Sequence, residues 1–98
     1  MTINVYEENG TTVIAPEGKI DHLTSEEFEI EVSKQCETHD NLIIDMKEVK
    51  YVSSAALRAI LTINEKMEGK GELIFRNVNK NVMDILNIAG FSDYLNIR

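Results

Sequence analysis

Two adjacent hydroxyls, Ser53 and Ser54, stand where the segment Lys47 to Ser53 gives way to a helical pattern that begins near Ser54. A serine at such a junction accepts hydrogen bonds from the free amides of the first helical turn, and replacing it by alanine typically costs about 1 kcal/mol. The same place suits a phosphate, because those amides and the helix dipole favour an anion. The pair is therefore either a plain helix cap or a place to put a phosphate. Local physics leaves both open.

Other reactive groups are scattered. His22 and His39 lack metal-type spacing, and Cys36 is the single cysteine, so neither an internal disulfide nor a multi-cysteine zinc site can form. Cys36 falls in register with an apolar helical stripe and reads as a buried, inert thiol. No metal and no cofactor is expected. Gly69-Lys70-Gly71 follows a helix instead of opening one, which makes it a stop signal and not a phosphate loop. Ser54 has no evident base: His22 with Asp21 or Asp45 could be arranged as a triad, but nothing marks an oxyanion hole or a nucleophile elbow. The chain reads as no enzyme.

Seventeen acids against ten bases give a formal charge of −7. That opposes nucleic acid as a partner, since phosphate backbones need a concentrated Lys/Arg face, and it permits a basic protein surface. No apolar run approaches the roughly 20 residues that span a bilayer. Met1-Thr2-Ile3-Asn4-Val5 has no signal-peptide form. The expectation is a cytoplasmic protein without direct membrane insertion, folded as one domain over residues 1–98.

The positioning elements follow from pattern. Ile3 to Tyr6 and Thr11 to Ala15 are β-prone runs around Asn9-Gly10, a hairpin turn, and Pro16 and Gly18 end or bend the second strand. Thr24-Ser25-Glu26-Glu27 has the form of a capping box, with Leu23 and Phe28 as a hydrophobic staple and Phe28, Val32 and Cys36 as the buried stripe. Glu26, Glu27, Glu29 and Glu31 suit the positive end of that helix. Leu42 to Met46 reads as a strand covered on both faces, then a loop from Lys47 to Ser53, then a helix from about Ser54 to Met67. On its wheel Ala56, Ile60, Ile63 and Met67 cluster beside Leu57 and Leu61, while Ala55, Arg58, Thr62 and Glu65 point away. Leu73-Ile74-Phe75 is another buried-type strand. Asn79 caps a third helix with Val82, Ile85, Leu86 and Ala89 inside, Gly90 as terminator and Phe91 against Leu86. Leu95 to Ile97 can close the chain as a strand. The order predicts an α/β fold: a mostly parallel, four- to five-stranded mixed sheet with an N-terminal hairpin and three to four helices.

Three segments in order resemble bacterial anti-sigma factor antagonists of the STAS fold, the domain these share with sulphate-transporter tails. Gly18-Lys19-Ile20-Asp21-His22-Leu23-Thr24 is similar to their G-x-L/I-D-x-x-T stretch. Asn41 to Met46 with Val49 to Leu57 resembles their central strand and the hydroxyl-bearing turn after it, and Ile88-Ala89-Gly90-Phe91 resembles the close of their last helix. The resemblance implies a non-catalytic switch that binds an anti-sigma factor, itself a serine kinase, until that kinase phosphorylates it, and that a serine phosphatase resets. It places the phosphoacceptor on Ser54, with Asp21, Ser53, Ala55, Leu57 and Arg58 as the partner surface. Ser53 stands where the family usually has Asp, and Ala56 where it usually has Gly, which leaves Ser53 a rival acceptor. The alternative within the same fold is a constitutive subunit of a membrane transporter complex.

Overall fold

The computed structural model describes residues Met1–Arg98. Its elements run β1 (Ile3–Glu8), β2 (Thr11–Pro16), β3 (Gly18–Ile20), α1 (Ser25–Thr38), β4 (Leu42–Asp45), β5 (Val49–Val52), α2 (Ser54–Met67), β6 (Leu73–Arg76), α3 (Lys80–Ile88) and β7 (Asn96–Ile97). Five strands form one sheet in the order β1-β2-β4-β6-β7, antiparallel at β1–β2 and parallel elsewhere. Asn9 and Gly10, both at positive φ, make the expected tight turn.

One core gathers Phe28, Val32 and Cys36 of α1, Ala56, Ile60, Ile63 and Met67 of α2, and Val82 and Leu86 of α3 against Ile14, Leu42, Ile44, Leu73 and Phe75 of the sheet. All three helices therefore cover one face. Ile43 and Ile74, on the other face, stay partly exposed. Helices thus cover the central strands on one face only, against the expectation of a strand covered on both, and Val13 and Asp45 on the other face are buried by neighbouring side chains.

The predicted loop Lys47 to Ser53 contains a strand. β5 pairs in parallel with β3 as a separate two-stranded sheet, with Gly18 opposite Val49, Lys19 opposite Tyr51 and Ile20 opposite Val52. Lys50 has no partner and forms a bulge. Val49 and Val52 are both buried although three residues apart, which regular alternation forbids and one extra residue permits. At Gly18 the chain passes through φ +93°, open to glycine, and so leaves β2 for the second sheet.

Three local expectations are corrected. Thr24 makes no side-chain cap for α1; its hydroxyl instead donates to the Lys19 carbonyl at 2.8 Å, while the Glu27 carboxylate holds the Met1 amino group at 3.1 Å. Leu23 is 78% exposed and staples nothing. Ala89 is exposed because α3 ends at Ile88. The stop itself forms as expected: the Phe91 amide reaches the Leu86 carbonyl at 2.8 Å and the Gly90 amide the Asn87 carbonyl at 3.1 Å, a full Schellman motif.

Candidate functional site

The paired ends of β3 and β5 carry the two segments that sequence singled out. The Ser53 amide donates to the Ile20 carbonyl at 2.9 Å, which ties the start of α2 to the loop before α1. One residue beyond the Ile20–Val52 pair stand Asp21 on one strand and Ser53 on the other. The residues one pair earlier on the same side, Lys19 and Tyr51, are exposed. Sequence pattern alone does not mark them as a surface, because β3 and β5 exist only as a pair; the one signal is that each stands two residues before Asp21 or Ser53.

The two hydroxyls divide. Ser53 is the cap: its Oγ accepts from the Ala56 amide at 3.2 Å and its carbonyl from the Leu57 amide at 2.9 Å. Ser54 is the first helical residue and is exposed. The amides of Ser54 and Ala55 take no backbone acceptor, which leaves two donors beside the Ser54 side chain at the positive end of a 14-residue helix. Arg58 lies one turn along, exposed and in no ion pair. Ala55 is half-buried, and Leu57 is half-buried against the core. Ser53→Ala is accordingly expected to lower stability by about 1 kcal/mol and Ser54→Ala by under about 0.5 kcal/mol, read as denaturant midpoints at constant slope.

Asp21 uses one oxygen for structure. Its Oδ1 accepts from the Leu23 amide at 2.9 Å and the Thr24 amide at 3.2 Å, while its own amide donates to Thr24 Oγ1 at 3.0 Å. The Leu23 amide, then the Thr24 groups and nearby His22, hold the carboxyl below the usual aspartate range. Oδ2 accepts nothing within the chain and remains available.

His22 and His39 flank α1, whose 14 residues span about 21 Å. Asp45 is drawn away to the uncovered sheet face, where it accepts from Arg76 Nε at 3.1 Å, Asn77 Nδ2 at 3.1 Å and the Lys47 amide at 3.0 Å. Burial pushes the Cys36 thiol up, against a smaller opposing pull from Lys70 and Lys66. No group of three or more His, Cys, Asp or Glu gathers where a metal could bind, and no helix is long and apolar enough to cross a membrane.

Residues 2–98 match the family model described as STAS domain. A Bordetella bronchiseptica protein, the candidate anti-sigma factor antagonist BtrV, is 24% identical over 93 residues, covering 93% of this chain and 80% of that protein. Among solved structures, an anti-sigma factor antagonist from Mycobacterium paratuberculosis superposes with a TM-score of 0.89 at 18% identity, covering 98% of this chain and 83% of that one. The Bacillus cell fate determinant SpoIIAA in its phosphorylated form gives 0.73 at 16% identity, covering 99% and 91%. At these identities the structural likeness is one of fold.

Proposed function

We propose that this chain, which belongs to the STAS domain family, is an anti-sigma factor antagonist that works as a phosphorylation-controlled, partner-switching protein in the cytoplasm. Unphosphorylated, it binds an anti-sigma factor that is also a serine kinase. The kinase transfers a phosphoryl group to Ser54, the complex separates, and a serine phosphatase restores the first state. The chain is substrate and ligand in this cycle and performs no catalysis.

One observation carries the reading. Ser54 is the exposed hydroxyl of the pair and has two uncommitted amides beside it, while Ser53 is occupied as the cap. A kinase needs an accessible Oγ, and removing Ser53 from service would loosen the helix start that presents it. Asp21 Oδ2, Lys19, Tyr51, Ala55, Leu57 and Arg58 surround the hydroxyl pair in sequence and strand register, a mixed-charge surface on a chain of net charge −7. A dianionic phosphate added there changes the sign of what the surface attracts without touching the core. Sharing a fold with a protein solved in phosphorylated form agrees with this.

The test is intact-mass measurement after incubation with the cognate serine kinase and ATP. Wild type and Ser53→Ala should each gain one phosphate, and Ser54→Ala none. Phosphate retained by Ser54→Ala and lost by Ser53→Ala moves the site. No phosphate on any form, with co-purification of a permease and its ATPase, would instead assign the chain as a constitutive transporter subunit.

A further inference from the structure

The two edges of the five-stranded sheet are built differently. β7, at one edge, is two residues long, too short to recruit another strand. β1, at the other, runs six residues with no proline, lysine or bulge to blunt it, and its only charged side chains, Glu7 and Glu8, stand together at its C-terminal end. The Asn9-Gly10 turn closes the Glu8–Thr11 pair, and the Glu17 amide reaches the Thr2 carbonyl at 3.0 Å. Even-numbered residues therefore direct their amide and carbonyl to β2. Alternation turns those of Ile3, Val5 and Glu7 to the open edge.

Apolar side chains crowd the same border. Val5 is 42% exposed and Ile30 of α1 60% exposed, beside a shallow groove lined by Met1, Ile3, Glu27, Ile30 and Glu31. Tyr6, on the opposite face of the strand, is also exposed.

We infer that β1 is a self-recognition edge: a second copy of this chain adds its own β1 antiparallel, about a two-fold axis at Val5, so that one sheet continues through both copies. The charge pattern tolerates self-pairing in one register. The carboxylates of β1 sit at one end only, Glu7 and Glu8. With Val5 opposite Val5 of the second copy, Glu7 falls opposite Ile3 and Glu8 opposite Thr2. Centring on Glu7 instead sets carboxylate against carboxylate, which disfavours it. Centring on Ile3 leaves the Glu7 backbone groups unpaired. In the Val5 register the two Glu7 residues stand about 14 Å apart along the strands. That exceeds the screening length of about 8 Å at physiological salt. The arrangement is isologous and closed, so it stops at two copies. No residue of the hydroxyl site takes part, and the result is independent of the switch reading.

Sedimentation velocity of the full chain across a wide concentration series tests this. Wild type should pass from 11.1 kDa to twice that mass. Added salt should tighten the dimer by screening the net charge of −7 on each copy. Val5→Pro removes an edge amide that β2 does not use, and Val5→Lys adds a charge at the axis; each should weaken association at least about tenfold. Far-ultraviolet circular dichroism and the thermal midpoint establish that each variant is folded. Should Val5→Pro unfold, Val5→Lys decides. A wild type that stays monomeric throughout, a dimer that survives the folded variants, or one that salt weakens overturns the inference.

Discussion

Phosphate on Ser54 is expected to weaken binding to the kinase partner by on the order of 10²–10³-fold while leaving the fold intact. Calorimetric titration of the phosphorylated and unphosphorylated chains against that partner measures it. The asymmetry comes from where the charge is placed. Within the free chain, the phosphate meets the uncommitted amides of Ser54 and Ala55 and the positive end of α2, a gain of roughly 0.3–1 kcal/mol. Against a docked surface the same dianion must lose its water and meets whatever the partner packed against a neutral hydroxyl, so desolvation and mismatch costs of several kcal/mol fall on the complex alone. Ser54→Glu should reproduce part of the loss, having one charge and a shorter reach. The thermal midpoint of the phosphorylated chain should move by no more than a few degrees. Equal affinity for both forms would sink the switch.

The largest stability effect is expected at Arg76. Its guanidinium bonds Glu8 at 2.5 Å and Asp45 at 3.1 Å and approaches the Tyr6 hydroxyl at 3.4 Å, so one side chain from β6 ties together β1 and β4 on the sheet face that no helix covers. Asp45 is 8% exposed. Burial pushes its carboxyl up, but the Lys47 amide, the Asn77 side chain and Arg76 outweigh burial and hold it below the usual range. The Arg76 bond likewise lowers Glu8. Arg76→Met should cost about 1–2 kcal/mol, well below the 3–5 of a fully buried pair, because water reaches Arg76 and Glu8 and Asp45 keeps two other donors. Both carboxyls titrate lower folded than unfolded. Their contribution is therefore complete above the unfolded values near pH 4 and disappears as pH falls through the folded ones. Wild type should lose stability steeply below about pH 4, and Arg76→Met should lose less over the same interval. Urea midpoints between pH 7 and pH 2.5 on both chains check this; parallel curves would remove Arg76 from the account.

Elements held by neighbours in sequence were legible from sequence. α2 and α3 announced their starts through Ser53 and Asn79, each of which does accept from the amide three residues on, and α3 announced its end through Gly90 and Phe91. β3 and β5 were not legible, because they lack the continuous apolar run that marked the equally short β4 and β6, and they exist through pairing with each other. The capping box at α1 misled for a related reason. Thr24 and Glu27 have the right spacing, yet Asp21 and Lys19, positioned by β3, compete for Thr24, and Met1 claims Glu27. At the candidate site, the choice of Ser54 over Ser53 rested on position and resemblance. The structure supplies a physical distinction in the capping bond that Ser53 alone accepts. Lys19 and Tyr51 are neighbours only through the β3–β5 pairing, which no local pattern announces.

The bulge at Lys50 has a consequence for how this chain can vary. In an ordinary strand, losing one residue inverts every side chain that follows, and a hydroxyl downstream would be carried to the opposite face. Here Val49, Tyr51 and Val52 already oppose Gly18, Lys19 and Ile20 as a regular ladder would, with Lys50 left over. Loss of that one residue would restore plain alternation and leave Ser53 and Ser54 facing outward. The segment before the hydroxyl pair thus holds one residue of slack, so the presentation of Ser54 is insulated from a single deletion at the point where its sheet is shortest.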